Sequence, residues 1–411
     1  MQALLTLWLS PLVILCMNKA EKRVLFVLGS GVSYGSRGPK VKEVTDLVFS
    51  QDDRVLKGDR HGKDFKPEER GCIHGFLRVL KKEIERMGEK ENYESLYSLA
   101  QRLYEFEAGR IKDASMVRFR DHVYRETAAF WSYYVGTGDW DGHPFGAITR
   151  KTCEYINKCI RILLVPLETP QGLQLIPDLI DKYGATNVDI LTLNHDELVE
   201  VLLKNRGITY TTGFDPKISN DGQVDFYDDA AFDVPGRVRI VKLHGCASWW
   251  HFHKDSSTDY RWGRLSDAVD WEDQTINDWE APIGLDGQAF RSNSFEEPVT
   301  TGNTTKIDAY TRGITGEMYI QARRLLKEHD RIISSGYGFG DDGFNHMLAE
   351  WSRRMPKKKM LLLYNTSEVP LEQGCWFWPE DWKSNHSDGW FKHHPQWLSA
   401  TSCSDVERLI F

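Results

Sequence analysis

Five short apolar runs, each closed by a small or polar residue, set the frame of this chain. They are KRVLFVLG (22–29), NVDILTLN (187–194), RVRIVKLH (237–244), DRIISSG (330–336) and KKKMLLLYN (357–365). Their apolar residues are nearly continuous rather than alternating with polar ones, the pattern of strands buried on both faces of a parallel sheet. ITYTTG (208–213) is a weaker sixth candidate.

Between the first two runs lie about 150 residues with a different period. IHGFLRVLKKEIERM (73–87), YESLYSLAQRLYEFEAG (93–109) and FRDHVYRETAAFWSYYV (119–135) repeat apolar positions at spacings of three and four, which predicts amphipathic helices. The two patterns together predict an α/β fold: a Rossmann-like, doubly wound and mainly parallel sheet of about six strands with an inserted helical subdomain. The expected division is a core formed by 17–50 and 186–366, a helical insertion over 51–185, and a Trp-rich C-terminal cap over 367–411. Trp376, Trp378, Trp382, Trp390 and Trp397 give that cap its name and suit core packing or an interface. The stretch 251–305, rich in Asp, Ser, Gly and Asn, reads as a long irregular segment or lid.

Residues 1–16 are apolar, but no Lys or Arg precedes the run, Pro11 interrupts it, and it is short for a membrane span. Met17 opens a segment that suits the start of an α/β domain, so 1–16 is expected to be either an upstream start or an apolar arm used in an oligomer. The net charge is −8 with both signs interspersed, which gives no bulk attraction to nucleic acid. Seven cysteines are scattered without a C-x-x-C pair, which favours a reducing cytoplasm over a disulfide framework. His244, Cys246, His251 and His253 lie close in sequence, yet their spacing matches no usual zinc pattern, and no metal site is expected.

The candidate chemistry sits where the strands end. Gly29, Ser30, Gly31 and Ser33 follow the first run directly and precede a helical pattern, the arrangement in which backbone N–H groups approach a phosphate. Tyr34 stands where the common dinucleotide fingerprint has its third glycine, so a plain strand-to-helix turn without a ligand stands as the alternative reading of this loop. Asn194 and Asp196 close the second run and open DELVEVLLK, where they either project into a ligand crevice or cap the helix. His244 closes the third run before Gly245, placed to titrate in a cleft or to serve as a satisfied structural histidine. Ser335 and Gly336 open the glycine-rich stretch SSGYGFGD, which is followed by Asn345, and Asn365 ends the last run.

Taken in order, GSGVS, TLNHDELVE, VKLHG, SSGYGFGDDGFN and LLLYN resemble the motifs of the sirtuin superfamily, in particular the bacterial sirtuin-like branch of anti-phage defence. The resemblance runs from about residue 22 to 366. It implies that Gly29, Ser30, Gly31 and Ser33 cradle the NAD⁺ phosphates and that Asn194 and Asp196 form the Asn-x-Asp motif beside the nicotinamide ribose. It also implies that His244 is the catalytic histidine, and that Ser335, Gly336 and Asn365 hold the adenosine half. Two departures matter: the paired zinc cysteines of deacylating sirtuins are absent, and the first loop continues SYGSRGPKVKEV. Hydrolysis of NAD⁺ itself, giving nicotinamide and ADP-ribose, is the chemistry left. In that reading Asn194 positions water, His244 is the general base, and Asp196 supports the developing positive charge or orients Asn194. The rivals are a protein deacylase, a non-catalytic NAD⁺ or ADP-ribose sensor, and a structural subunit. A homo-oligomer and a HerA-type ATPase partner are the expected associations.

Overall fold

The computed structural model of the chain describes residues 22–56, 65–136, 143–164, 166–215, 224–254, 260–265, 290–292, 310, 313–355, 358–365 and 389–411. Strands are β1 (Val24–Leu28), β2 (Val188–Thr192), β3 (Tyr210–Thr211), β4 (Phe214–Asp215), β5 (Val224–Tyr227), β6 (Val238–Lys242), β7 (Trp249–Lys254), β8 (Tyr260–Leu265), β9 (Phe290–Ser292), β10 (Arg331–Ser335), β11 (Lys359–Leu363) and β12 (Phe391–His394). Helices are α1 (Val41–Val48), α2 (Pro67–Arg86), α3 (Tyr93–Glu107), α4 (Ala114–Glu126), α5 (Ala128–Trp131), α6 (Pro144–Leu164), α7 (Leu175–Tyr183), α8 (Leu198–Asn205), α9 (Gly313–Glu328), α10 (Asp342–Arg354) and α11 (Cys403–Ile410). Among these, no helix is long and apolar enough to cross a membrane. The N-terminal arm, and Trp376, Trp378 and Trp382, lie outside the described residues.

Seven strands form one parallel sheet in the order β12-β11-β10-β1-β2-β6-β3. The continuous apolar runs have a direct cause. Along β1, Val24, Phe26 and Leu28 pack on one face against α7, α8 and α11, while Leu25 and Val27 pack on the other among residues of α9 and α10. A strand covered on both sides must be apolar at every position. The sheet has seven parallel strands rather than about six, because β12 adds an edge within the Trp-rich end. Trp390 beside it is buried in the core, and Trp397 packs edge-on to Tyr364.

The irregular segment expected over 251–305 is corrected at 251–254, 260–265 and 290–292, which are strands; its other residues lie outside the described ones. β7, β8 and β9 join β4 and β5 in a second, antiparallel sheet of five strands. The helix expected over 119–135 is broken at Thr127, whose hydroxyl donates to the Val123 carbonyl at 2.6 Å and diverts the backbone between α4 and α5.

α1 to α6 form a layer with a hydrophobic core of their own, which includes Phe76, Leu77, Leu80, Phe145, Ile148 and Ile156. α7 belongs with the sheet instead.

A buried charged group breaks the apolar rule inside β2. Asp189 of β2 is buried and bonded by Arg239 at 3.0 and 2.5 Å, with His329 3.1 Å away. Burial raises its pKa, but His329 and Arg239 outweigh that and hold the carboxyl below its ordinary value. A depressed carboxylate stabilises the fold fully above its unfolded pKa, near 3.9, and loses that contribution as pH falls through the folded value. Asp189→Ala leaves Arg239 paired with Glu328 alone, at 2.7 Å, and is expected to destabilise by about 1.5–3 kcal/mol through the lost charged hydrogen bonds, read by denaturant melts at neutral pH. The same melts repeated towards pH 3 should show a smaller acid loss in the variant than in the parent.

Candidate active site

The sheet order places the change of winding direction between β1 and β10. From β1 the chain goes to β2 on one side and later returns to β10 on the other, and ligands of such sheets bind in the crevice at that point. Here two loops meet backbone to backbone. Gly29 N–H donates to the Ser335 carbonyl and Gly31 N–H to the Gly336 carbonyl, both at 3.0 Å. A Cβ on Gly29 would fall 2.5 Å from the Gly336 oxygen, one on Gly31 2.7 Å from Gly336 Cα, and one on Gly336 2.4 Å from Val32 N. Gly336 also has φ +67°, a conformation that disfavours other residues. These three glycines are required by the contact between the loops. A 3₁₀ turn, Ser30–Ser36, follows Gly29 and carries Ser33 inward.

Above the crevice lies a cavity of about 230 Å³. Of the ten residues singled out in the sequence, Gly29, Ser30, Ser33, Asn194, Asp196, His244 and Gly336 line it. Gly31, Ser335 and Asn365 do not. Gly31 faces Gly336; Ser335 is buried with its hydroxyl 3.4 Å from the Leu363 carbonyl; Asn365 is exposed beyond β11. The helical layer supplies the opposite wall through Val41 and Val44 of α1, Tyr93 and Glu94 of α3, and Ile160 and Leu164 of α6.

Ser33 joins two of the strand-end groups. Its hydroxyl donates to Asp196 Oδ2 at 2.7 Å and accepts from Asn194 Nδ2 at 3.1 Å. Asp196 Oδ1 accepts the Leu198 N–H at 3.2 Å, so this carboxylate caps α8 and faces the cavity at once. Asn194 is 7% exposed, and its Oδ1 has no hydrogen-bond partner among the described residues. A buried carbonyl oxygen left unpaired costs about 1–3 kcal/mol, so it marks a place where a ligand or water donates.

His244 lies on the same cavity, 4% exposed. Its Nε2 is 2.6 Å from Asp341 Oδ2 and 3.2 Å from the Tyr310 hydroxyl, which itself donates to Asp341 Oδ2 at 2.7 Å. Asp341 also lines the cavity, and its Oδ1 caps α10 by accepting the Phe344 N–H at 2.9 Å. The sequence carried one signal for Asp341, a carboxylate ending a glycine-rich strand exit just before a helix. Tyr310 stands in a segment with no periodic pattern to mark it.

Beneath the cavity, the fully buried Lys242 binds Glu200 at 2.8 Å and donates to the Asp196 backbone carbonyl. Burial disfavours its charge, but Cys246, Glu200 and Asp196 outweigh this and keep it protonated. Glu197, Glu200 and Cys246 bring ligand-type atoms within 4.8 Å of one another, but Lys242 already serves Glu200, and Ser248 donates to Glu197 at 2.7 Å. Burial also pushes the Cys246 thiol up to about 12. This cluster is an ion-pair network built around an internal ammonium. Of the histidines and cysteine once grouped by sequence, His244 turns to Asp341, Cys246 donates to the His195 carbonyl at 3.3 Å, and His251 packs against Trp262.

No family model matches the chain, and no curated protein does. Among solved structures, the chain is similar at low identity to sirtuins. Sir2Tm bound to a propionylated peptide aligns at 10% identity over 97% of this chain and 98% of that one, with a TM-score of 0.36. Sir2 bound to an acetylated peptide aligns at 9% identity over 97% and 98%, with a TM-score of 0.35. A sirtuin structure on substrate affinity aligns at 9% identity over 89% and 91%, with a TM-score of 0.33.

Proposed function

We propose that this chain is an NAD⁺ hydrolase that cleaves the nicotinamide–ribose bond to give nicotinamide and ADP-ribose. The observation that carries the reading is the pairing of Asn194, whose buried Oδ1 lacks a partner among the described residues, with a strand-end histidine on the same cavity, at the sheet's change of winding direction. The five ordered sequence motifs support the same substrate. In the reaction the C1′–N bond breaks with its electron pair leaving on nicotinamide, and a water oxygen bonds to C1′. Asn194 Oδ1 accepts a hydrogen bond from that water. His244 takes the proton that the water sheds, and Asp196, held by Ser33, places a negative charge near the developing oxocarbenium.

The rival reading is a non-catalytic subunit that binds NAD⁺ or ADP-ribose. It is favoured by the closeness of His244 to Asp341 and Tyr310, which is also how a structural histidine would be held. Incubating the purified chain with NAD⁺ separates the two. Nicotinamide and ADP-ribose appearing in equal amounts is the expected result, and NAD⁺ retained without nicotinamide release would establish the rival. Turnover of an acylated peptide would instead assign a deacylase. We further propose, on the resemblance of its ordered motifs alone, a role in NAD⁺ depletion during bacterial anti-phage defence, as a homo-oligomer with a HerA-type ATPase as the candidate partner. The incubation is therefore run with and without that partner.

A further inference from the structure

His244 does not stand alone in its cavity. We propose that Asp341, backed by Tyr310, is the positioning residue that fixes His244 as its Nε2–H tautomer and stabilises the imidazolium formed when it takes a proton. The proposal rests on the hydrolase reading for its kinetic part only.

A carboxylate can accept but not donate, so the 2.6 Å contact places the ring proton on Nε2 and the basic lone pair on Nδ1. Tyr310 cannot replace the histidine in this role. Burial and the neighbouring Asp341 raise its pKa, so its hydroxyl stays protonated and donates to the same Oδ2. The carboxylate is itself held from several sides. Oδ1 is fixed by the Phe344 N–H, and the Asp341 backbone carbonyl accepts from the Tyr337 hydroxyl at 3.2 Å. That hydroxyl also lies 2.7 Å from Asn345 Oδ1, and Asn345 Nδ2 donates to the Phe339 carbonyl at 2.8 Å. Phe339 is fully buried with φ +58°, a conformation that costs a non-glycine residue about 1–2 kcal/mol. Strain of this kind persists where the surroundings over-determine a geometry, and here they aim one carboxylate at one ring.

The groups around His244 set the expected directions. Asp341 and Tyr337 face it from the β10–α10 loop, Tyr310 from the segment before α9, and His195 and Asp196 from the β2–α8 loop. The Lys242 ammonium below is paired with Glu200. Among the described residues, Asp341 is thus a carboxylate in direct contact with the ring, and removing its charge lowers the pH at which His244 titrates. Removing the Tyr310 hydroxyl frees Oδ2 to bind the ring more strongly, and shifts that pH upwards.

The test uses Asp341→Asn, Asp341→Glu and Tyr310→Phe in the full chain with ¹⁵N-labelled histidine, the His244 signal being assigned by its loss in His244→Gln. In Asp341→Asn the amide oxygen can keep the Phe344 cap while its NH₂ faces the ring, which forces Nε2 to accept and moves the proton to Nδ1. The expected results are a switch of tautomer, a lower titration pH, and nicotinamide release slower by about 10²- to 10⁴-fold with NAD⁺ still bound. Asp341→Glu should restore part of the rate, and Tyr310→Phe should move the acid limb of the pH profile to higher pH. An unchanged tautomer and titration in Asp341→Asn, with or without a lower melting temperature, would reduce Asp341 to a helix cap and overturn the proposal. Because tautomer and titration are read from the ring itself, a parent chain that releases no nicotinamide would leave those two results standing while removing the hydrolase reading.

Discussion

His244→Ala is expected to slow nicotinamide release from NAD⁺ by about 10²- to 10⁴-fold, the usual range for loss of general-base assistance. The fold should persist, because Asp341 keeps its bonds from Tyr310 and the Phe344 N–H when the imidazole is gone. Asn194→Ala should fall in the same range for another reason. It removes the buried oxygen that has no partner among the described residues, and it leaves Ser33 bonded to Asp196. Activity must be expressed per folded molecule, with melting temperature and NAD⁺ affinity measured beside it. A histidine that only packs would reduce stability and leave that corrected rate intact. Parental rates in both variants would make the crevice a binding site and no more.

The second large effect is on folding. Gly31→Asp, which on sequence grounds would test phosphate binding in an intact protein, is expected to prevent the sheet from closing. The new Cβ falls 2.7 Å from Gly336 Cα, where only backbone can give way. Gly336→Ala meets Val32 N at 2.4 Å and adds the penalty of φ +67°, about 1–2 kcal/mol. Displacing both central strand exits adds several kcal/mol more, against a total stability of about 5–15 kcal/mol. Gly338→Ala and Gly340→Ala supply the control, since a Cβ at either position meets nothing within 4 Å and both residues line the cavity. Soluble, cooperatively melting Gly31→Asp with weakened NAD⁺ binding would show that the loop yields and that the phosphate reading was right.

The parallel sheet was legible because burial on both faces leaves nearly continuous apolar runs, unbroken over the five residues Val24–Leu28. The antiparallel sheet left none. WWHFHK and YRWGRL mix aromatic and charged residues between Asp- and Ser-rich stretches, so neither period dominates. Strand order also has no local signature, and this decided which polar strand ends matter. Asn365 closes β11, two strands away from β1, and lies off the cavity; Asn194 closes β2, beside β1, and lies on it. The contact of His244 with Asp341 joins positions 97 residues apart and depends on β6 and β10 sharing one sheet edge. Helix capping hid Asp341 further, because a carboxylate before a helix is commonplace.

The interlocking of Gly29 and Gly31 with Gly336 has a consequence for the timing of synthesis. The two loops that floor the crevice are separated by about 300 residues, and the second is made late. At roughly 5–20 residues per second, a ribosome needs about 15–60 s between them. Until then β1 has no neighbour on its β10 side, and the cavity lacks Gly336, Tyr337 and Asp341. A nascent or prematurely terminated chain that stops before residue 341 therefore cannot complete the cavity. The position of one glycine, about 300 residues after the first loop, thus delays completion of the crevice until β10 has been made.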